Sequence, residues 1–443
     1  MNMMKETKIT IGLTTLGCKV NQCDSAAIAG ELQSAGHILV PFDSFADVYI
    51  INTCTVTSFA DFQARQLIRR AKRANPVARI VVTGCYAQTQ PQTLTVIDGV
   101  TLVVGNDNKH RIVELLNHPG RNFPQIIASD IFLQKQFIST SFLPWTGRTR
   151  AFFKIQDGCN AFCSYCIVPY ARGISRSLPF QDVIRGVKNF ISQNYREIVL
   201  NGIHLGHYGQ DLQPETDLVR MLECLLSQNP GTRFRLSSIE PNEISEDLID
   251  LFSRYPNLCP HLHIPLQSGD DSVLKMMKRN YDTAFFRNRI EKTLQAVKDI
   301  AIGIDVMAGF PGEGEKEFSN TLRLLEDLPA AYLHVFPYSE RPGTAALEIQ
   351  PKVNEKIRKE RAAILRDLGV KKREMFSRRF IGKTLPVLVE QSPDKKTGLG
   401  KGFSHNYLPV ILDKHHRTLV NTIVTAEIER YHEGRVTGRI IHE

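Results

Sequence analysis

Six strand-like segments alternate with helix-like segments between residues 151 and 348, and this alternation limits the possible folds more than any other feature of the chain. The predicted strands are residues 151–156, 197–201, 233–237, 261–265, 302–308 and 333–337, with helices such as 181–193 and 282–298 between them. Strands that alternate with helices form parallel sheets. The pattern therefore predicts an open or closed α/β barrel of six units, with its chemistry at the carboxyl ends of the strands.

A shorter alternation precedes this region, and β-rich sequence follows it. The first part has predicted strands at 8–15, 47–52 and 79–83 and helices at 25–35 and 61–74, whereas 352–379 is a charged helical run followed by predicted strands at 385–389, 407–412 and 419–426. We expect an α/β protein with a Rossmann-like α/β domain (1–120), a linker (121–145), a partial (βα)6 TIM-type barrel (146–374) and a small β-barrel (375–443).

The excess positive charge lies at the C-terminal end. Residues 352–443 hold 20 Lys and Arg against 11 Asp and Glu, which accounts for the whole net charge of +9. A basic appended part of this kind indicates nucleic-acid binding. No apolar run approaches the ~20 residues of a membrane span, and the polar N-terminus lacks the apolar core of a signal peptide. We therefore expect a cytoplasmic protein with no membrane partner.

Cys159, Cys163 and Cys166 follow the first barrel strand with C-x3-C-x2-C spacing. Three thiols in eight residues can hold three irons of an iron–sulfur cube, and no fourth cysteine follows at short range. The fourth iron would then be open to a non-protein ligand, as in catalytic metal sites. The alternatives are a zinc knuckle, which would need a fourth ligand nearby, or buried free thiols. We interpret the triad as a catalytic metallocluster.

A second triad is spread over the N-terminal domain. Cys18, Cys54 and Cys85 each follow a predicted strand of one parallel sheet. Carboxyl ends of parallel strands meet at one edge, where such sheets bind ligands, so the three thiols are expected to converge on a second cluster with an open iron. The alternative is three unrelated core cysteines. The remaining cysteines, Cys23, Cys224 and Cys259, match neither pattern and are expected to pack in the interior.

The first triad, with Tyr165 before its last cysteine, resembles the hallmark of radical S-adenosylmethionine enzymes. The resemblance implies that S-adenosylmethionine chelates the open iron through its amino and carboxylate groups. Reduction of the [4Fe–4S] cluster then cleaves the sulfonium to a 5′-deoxyadenosyl radical. The protein supplies orientation, exclusion of water and control of the potential.

The two triads and the domain order together resemble the methylthiotransferases, over nearly the whole chain. Four segments are similar to the branch that acts on threonylcarbamoyl-adenosine in tRNA: Thr-Leu-Gly-Cys-Lys-Val-Asn-Gln (15–22), Leu-Asn-Gly-Ile-His-Leu-Gly-His-Tyr-Gly (200–209), Arg-Leu-Ser-Ser-Ile-Glu-Pro (235–241) and Tyr-Ser-Glu-Arg-Pro-Gly-Thr (338–344). The signatures of the branches for isopentenyl-adenosine and for a ribosomal-protein aspartate are absent. The C-terminal domain resembles a TRAM module, although residues 395–405 match its loop only loosely.

The resemblance implies two [4Fe–4S] clusters and two roles for S-adenosylmethionine, as radical source and as methyl donor. The radical would remove hydrogen from carbon 2 of the modified adenosine next to the anticodon, and the second cluster would hold the sulfur. tRNA and an external electron donor are the expected partners of a monomer. Two alternatives stay open: a methylthiotransferase for isopentenyl-adenosine or ribosomal protein, and a non-catalytic RNA-binding iron–sulfur protein.

Other residues at strand ends are candidates for holding S-adenosylmethionine. Asn201 and Gly202 end the second barrel strand, where a glycine lets backbone approach a cofactor. Gln267 and Ser268 could hold the ribose or cap a turn. Gly309 and Phe310 begin a segment that resembles the adenine-side loop of the family.

The last candidates concern substrate. His261 and His263 share one strand face and could bind a metal or line the barrel. Arg172 and Arg176 could meet phosphate or be structural. The basic residues of 371–379 are candidates for phosphate contacts, and Phe403 and Tyr407 could stack on unpaired bases or pack in a core.

Overall fold

The structure is a computed structural model that describes residues 8–117, 124–138, 148–414 and 417–442. It divides into two compact units. The first unit comprises Met1–Thr146, Lys154–Leu178 and Ser339–Thr344, and the second comprises Gly147–Phe153, Pro179–Tyr338 and Ala345–Glu443. The loop that holds Cys159, Cys163 and Cys166 therefore belongs to the same compact unit as the N-terminal sheet. The predicted domain boundaries at residues 120, 145 and 374 remain predictions.

The first unit is built on a six-stranded sheet with the order β2-β1-β3-β4-β5-β6. Its elements are β1 (Thr10–Thr15), α1 (Lys19–Ser34), β2 (Ile38–Val40), β3 (Val48–Thr53), α2 (Ser58–Ala74), β4 (Arg79–Gly84), α3 (Cys85–Thr89), α4 (Pro91–Thr95), β5 (Val100–Val104), α5 (Ile112–Asn117) and β6 (Gln125–Ile127). All neighbouring strands are parallel. The strand order reverses between β1 and β3, which is where doubly wound sheets bind ligands.

Local sequence accounts for most of this sheet. β3 begins with four apolar residues and is buried at every residue, as expected for a central parallel strand covered on both faces. α2 begins after Thr57, whose side chain accepts a hydrogen bond from the Ala60 N–H, and basic residues occupy its last turn. Gln125–Ile127 lies in the stretch predicted as a linker and is the sixth strand of the sheet.

α1 departs from the sequence prediction, because it begins at Lys19 rather than residue 25. Its first turns contain Asn21 and Asp24, which are polar and were therefore not recognised as a buried helical face. Both side chains are almost completely buried. Their partners come from distant parts of the chain, as described below.

The partial barrel follows the prediction strand by strand. Its elements are β7 (Ala151–Lys154), β8 (Gln156–Asp157), α6 (Val168–Arg172), β9 (Arg176–Ser177), α7 (Phe180–Ser192), β10 (Glu197–Asn201), α8 (Leu218–Gln228), β11 (Arg233–Leu236), α9 (Glu246–Arg254), β12 (His261–Gln267), α10 (Asp271–Met276), α11 (Thr283–Ala296), β13 (Ala301–Ala308), α12 (Glu315–Asp327) and β14 (Tyr332–Pro337). Six of these strands form two sheets, β11-β10-β7 and β12-β13-β14, and the short strands β8 and β9 form a separate antiparallel pair. Two isolated parallel bridges connect these sheets. Phe234 of β11 pairs with Leu258, and Ser238, after β11, pairs with His263 of β12. Six barrel strands in chain order confirm the predicted partial barrel.

The C-terminal part of the second unit is a long helix followed by a closed five-stranded barrel. The elements are α13 (Glu355–Arg378), β15 (Thr384–Val389), β16 (Lys401–Ser404), β17 (Pro409–Leu412), β18 (Ile423–His432) and β19 (Arg435–His442). The barrel closes in the order β15-β16-β17-β19-β18. This confirms the predicted small β-barrel, although β16 and β19 were missed and the predicted strand 419–426 begins later, at Ile423. Within the described residues, no helix is both long and apolar enough to cross a membrane.

Candidate active site

The first cysteine triad lies in a loop between β8 and α6. The Cys159 N–H donates to the Gly173 carbonyl (3.0 Å), and the Cys166 N–H donates to the Cys163 carbonyl (2.9 Å). The Ala161 N–H lies 3.4 Å from the Cys159 sulfur. All three cysteines are half-buried. Backbone hydrogen bonds therefore shape the loop, and an N–H donor reaches one thiol, which is how proteins tune iron–sulfur ligands.

The second triad lies at the carboxyl ends of three neighbouring strands. Cys18 caps the start of α1 after β1, Cys54 follows β3, and Cys85 follows β4 and begins α3. Burial raises the pKa of the Cys54 thiol to about 12, and the neighbouring Cys85 and Cys18 thiols act in the same direction. The three thiols are thus close enough to interact electrostatically, as expected from the strand ends.

Asn21 connects the segments that carry these thiols. Its side-chain amide donates to the Leu16 carbonyl (2.8 Å) and to the Thr53 carbonyl (3.0 Å). Its side-chain oxygen lies 3.9 Å from the Cys85 sulfur. One buried amide therefore contacts the loop before Cys18, the end of β3 and the third thiol. Sequence reasoning missed this role, although Asn21 lies in the 15–22 segment.

A buried group of charges adjoins both triads within the first unit. Lys109, Lys154 and Arg172 contact the Asp24 carboxylate at 2.6, 2.5 and 2.9 Å. Although burial opposes it, the two lysines and Arg172 hold the pKa of Asp24 well below its usual range. Arg172 also contacts Asp157 (2.8 Å). Buried charges persist where they are paired and hydrogen-bonded, and three cations here face two carboxylates.

A pocket that the sequence did not predict adjoins this buried network. It is partly open to solvent, and its lining includes the polar residues Asn106, Lys109, Lys154, Arg172 and Arg176. The Asn106 side-chain amide lies 3.7 Å from the Cys85 sulfur and donates to the Ala171 carbonyl (2.7 Å). The pocket wall therefore includes a residue that contacts the second triad.

Arg341 is a further buried cation near the second triad. It donates to the hydroxyl of Thr55 (2.7 Å) and to the carboxylate of Asp61 (2.5 Å). Thr55 follows Cys54 directly, so this contact supports the loop that holds the thiol. In the sequence, Arg341 lies in the 338–344 segment that resembles the threonylcarbamoyl-adenosine branch, but the sequence analysis gave this arginine no role.

The donor set fits an iron–sulfur cluster better than a single zinc ion. Among the described residues, neither cysteine triad is a group whose sulfurs all lie within 4.8 Å of one another. Ligands of a tetrahedral zinc, each ≈ 2.3 Å from the metal, lie closer together than this. Three thiols at wider spacing, with N–H donors beside them, suit a larger inorganic core.

Two candidate pairs for S-adenosylmethionine have different surroundings. The Asn201 side chain is buried and donates to the Val199 carbonyl (2.7 Å), and its own oxygen has no hydrogen-bond partner. An unsatisfied buried acceptor at a strand end suits a ligand hydroxyl or amine, and Gly202 beside it is half-buried. The Ser268 hydroxyl instead accepts from the Asp270 N–H (3.3 Å), which matches turn capping.

Of the remaining candidates for S-adenosylmethionine, Phe310 is packed in the interior, Gly309 lies in a turn, and Gln267 ends a strand. Phe310 is fully buried and packs edge-on against Tyr338 (5.5 Å between ring centroids). The Gly309 N–H donates to the Glu313 carboxylate (2.9 Å). Gln267 ends β12 with φ +67°, at an irregularity in its pairing with β13. Their assignment to S-adenosylmethionine remains a prediction.

The candidate residues for substrate are mostly engaged with other side chains. Arg172 and Arg176 are buried, which favours the structural alternative. His261 and His263 both contact the hydroxyl of Tyr332, at 2.8 and 3.2 Å, as barrel-lining polar groups would. Tyr407 packs between His261 (4.4 Å) and Phe403 (5.0 Å), which favours packing over base stacking.

Four of the five cations at 371–379 face solvent. Lys371, Arg373, Arg378 and Arg379 are exposed. Lys372 is buried and donates to the carbonyls of Glu326 and Leu328, so it serves α13 packing. Among the described residues, the cysteines outside the triads form no disulfides. Cys224 and Cys259 contact Gln228 and Glu197, and burial raises the pKa of Cys23 to about 12.

Two family models match parts of the chain. Residues 153–325 match the model of the radical SAM superfamily, and residues 10–105 match a model described as "Uncharacterized protein family UPF0004". A threonylcarbamoyladenosine tRNA methylthiotransferase MtaB from Bacillus subtilis is 37% identical over 434 residues, which is 96% of each chain. The chain belongs to the radical S-adenosylmethionine methylthiotransferase family. It is therefore an enzyme that transfers a methylthio group, with S-adenosylmethionine and [4Fe–4S] clusters as cofactors.

Other relatives define its position in the family. The protein of the same name from Aquifex aeolicus is 38% identical and covers 86% of this chain and 92% of its own. A tRNA-2-methylthio-N(6)-dimethylallyladenosine synthase from Syntrophus aciditrophicus is 32% identical, with 88% and 85% covered. Among solved structures, the radical S-adenosylmethionine methyltransferase TsrM from Kitasatospora setae covers 77% of both chains with a TM-score of 0.56 and 13% identity, which supports the fold alone.

Proposed function

We propose that this enzyme adds a methylthio group to carbon 2 of N6-threonylcarbamoyladenosine next to the anticodon of tRNA. The observation that carries the reaction is the presence of two three-cysteine sites in one compact unit. The choice of substrate is supported by the relatives named for threonylcarbamoyladenosine, at 35–38% identity, against 29–32% for those named for dimethylallyladenosine.

In this proposal the six cysteines have two separate tasks. Cys159, Cys163 and Cys166 hold the cluster whose open iron binds S-adenosylmethionine, and Cys18, Cys54 and Cys85 hold the cluster that carries sulfur. When bound and reduced, the first cluster supplies the electron that cleaves S-adenosylmethionine to a 5′-deoxyadenosyl radical. The chain itself holds the two loops in position through the buried side chains described above.

The same proposal gives S-adenosylmethionine a second role as methyl donor and assigns its contacts. Three pairs lie at the carboxyl ends of barrel strands, where such barrels bind ligands: Asn201 and Gly202 at β10, Gln267 and Ser268 at β12, and Gly309 and Phe310 at β13. The buried, unsatisfied oxygen of Asn201 is the strongest support among them.

Binding of tRNA is proposed through α13 and the C-terminal barrel. The exposed cations Lys371, Arg373, Arg378 and Arg379 lie in the last turns of α13 and directly after it, which suits phosphate contacts that weaken with salt. A base in the anticodon loop is accessible without disrupting a duplex. We further propose a monomer in the cytoplasm that receives electrons from an external donor.

Mass spectrometry of tRNA nucleosides tests the substrate. A deletion strain lacking this gene is complemented with the wild-type chain or with Cys163→Ala. We expect the 2-methylthio form of threonylcarbamoyladenosine to return only with the wild type, while dimethylallyladenosine stays unchanged. Methylthiolation of dimethylallyladenosine instead would contradict the proposed substrate. Failure of the purified, reconstituted protein to form 5′-deoxyadenosine under reducing conditions would favour a non-catalytic RNA-binding protein.

A further inference from the structure

Two histidines and one glutamate meet at the carboxyl ends of β10 and β11. His204 directly precedes the short 3-10 helix Leu205–His207, His207 ends it, and Glu243 ends the 3-10 helix Pro241–Glu243. The Nε2 atoms of His204 and His207 lie 2.6 and 3.6 Å from the Oε1 atom of Glu243. One ligand atom from each residue lies within 4.8 Å of the others. None of these three side chains belongs to a cysteine triad or to the buried group of charges around Asp24.

The glutamate oxygen that faces the imidazoles is buried and has no hydrogen-bond partner. Oε1 of Glu243 accepts no hydrogen bond, and its contact with Nε2 of His204 at 2.6 Å is an ion pair only if that imidazole is protonated. The other oxygen, Oε2, accepts from the Glu240 N–H (3.2 Å), which orients the carboxylate. An unsatisfied buried carboxylate oxygen is costly unless something else satisfies it. A cation between Oε1 and the two imidazoles would do so.

Gly206 shows that the chain leaves space for this carboxylate. A Cβ atom on Gly206 would lie 2.1 Å from Oε2 and 2.2 Å from the carboxyl carbon of Glu243. Any residue other than glycine at position 206 would therefore displace the Glu243 carboxylate. The His-Leu-Gly-His segment (204–207) thus supplies two imidazoles, and its glycine leaves the space that the Glu243 carboxylate occupies beside them.

A second group of the same composition serves as a contrast. His263, Asp305 and His334 also lie within 4.8 Å of one another. There, however, the Asp305 carboxylate is hydrogen-bonded to His263 Nε2 (2.7 Å), and His263 Nδ1 contacts the Tyr332 hydroxyl (3.2 Å). The polar atoms of that carboxylate–histidine pair are satisfied without a metal, and His334 is half-exposed.

We propose that His204, His207 and Glu243 bind a divalent transition-metal ion of the zinc class. Two imidazole nitrogens and one carboxylate oxygen form a ligand set that zinc uses when a fourth position stays open. Carboxyl ends of strands are where a TIM-type barrel presents reactive groups, so the open position would accept an oxygen ligand there. The site does not depend on the identity of the tRNA substrate or on either cysteine triad.

Zinc binding to the full-length chain with reconstituted clusters tests the site. The clusters occupy the cysteine triads, and zinc alone is the probe. Metal affinity is measured by competition with a chromophoric chelator, and X-ray absorption at the zinc edge distinguishes nitrogen and oxygen ligands from sulfur. Zinc should bind one per chain with nitrogen and oxygen ligands only.

Two variants and one matched control sharpen the result. His207→Gln removes a partly exposed ligand, and Gly206→Ala displaces the carboxylate without removing a ligand. Each should weaken zinc binding by about 10-fold or more, since even indirect supports of metal ligands contribute 10–100-fold. His334→Gln removes the equivalent histidine of the satisfied group and should leave affinity unchanged. Circular dichroism verifies that each variant is folded.

Several results would overturn the assignment. They are the absence of zinc binding by the wild type, a sulfur-dominated zinc shell, or equal zinc affinity in the wild type and both site variants. A loss of affinity in His334→Gln as large as in His207→Gln would assign the metal to the other group instead. None of these results bears on 5′-deoxyadenosine formation or on the modified nucleoside, so the proposed function is tested separately.

Discussion

The Arg172 guanidinium donates a hydrogen bond of 2.5 Å to the side-chain oxygen of Asn21. Asn21 contacts the loops of the second cysteine triad, whereas Arg172 ends the helix that follows the first triad. Arg172 also donates to both carboxylate oxygens of Asp157, which lies two residues before Cys159. One buried cation therefore joins the two cysteine sites of the first unit.

Replacing Arg172 should destabilise the first unit strongly. Arg172→Gln leaves the carboxylates of Asp24 and Asp157 buried with fewer compensating charges, and removal of one partner from a buried pair costs about 3–5 kcal/mol. Arg111→Gln is the matched control, because Arg111 pairs with Glu114 at the surface, where solvent screening leaves such pairs with little effect on stability. Urea unfolding of the two apo-proteins measures the difference. Equal losses in both variants would show that the buried network contributes little.

Replacing one cysteine of each triad should separate the two halves of the reaction. Cys18→Ala should abolish methylthiolation but keep reductive cleavage of S-adenosylmethionine, whereas Cys163→Ala should abolish both. The wild type should hold about eight iron atoms, and each variant about four. Iron content, 5′-deoxyadenosine by chromatography and tRNA nucleosides by mass spectrometry are measured on the same samples. Methylthiolation by Cys18→Ala would refute the assignment of sulfur transfer to the second triad.

A methyl group next to the second triad should disturb it. Gly17 has φ +94°, and a Cβ there would lie 2.7 Å from the Cβ of Cys54 and 2.9 Å from its sulfur. Gly36 has φ +84° and nothing within 4 Å of the same position. Both alanine variants should carry backbone strain of about 1–2 kcal/mol, but only Gly17→Ala should lose iron from the second cluster. Iron content and electron paramagnetic resonance compare the pair, and equal spectra would contradict this packing argument.

His405 should make the second unit less stable in mild acid. Burial, with the nearby charges of Arg233 and Arg235, lowers the pKa of His405 to about 4. Because the unfolded chain binds a proton near pH 6.5 and the folded chain does not, the stabilisation is present above pH 6.5 and is lost as the pH falls towards 4. Between pH 7.5 and pH 5 the wild type should lose about 2 kcal/mol relative to His405→Gln. Unfolding of both proteins at the two pH values measures this, and parallel losses would contradict it.

Much of the fold follows from local patterns. The six barrel strands were recognised because each is a short apolar run between helical segments, and their order along the chain sets the order in the sheets. α1 was placed six residues late because Asn21 and Asp24 look like solvent-facing residues. β16 is short and contains Gly402, and β19 is partly polar, so neither had a strong strand pattern.

The site was predictable only where residue type and spacing form a recognisable pattern in the sequence. The first triad is contiguous in sequence, and the second follows from strand ends that meet at one edge of a parallel sheet. The buried cations were not predictable, since Arg172 and Asp24 are 148 residues apart. No local pattern distinguishes a lysine or arginine that will be buried from one that faces solvent.

The α/β class, the partial barrel, the two cysteine triads and the family can all be inferred from the amino-acid sequence. Which polar side chains surround those triads, and that His204 and His207 meet Glu243, became known only from the folded chain. The difference lies in the sequence distance over which each interaction acts. Helical and strand periodicity depends on neighbours a few residues away, whereas the pairing of a buried charge depends on which distant segment the folded chain places beside it.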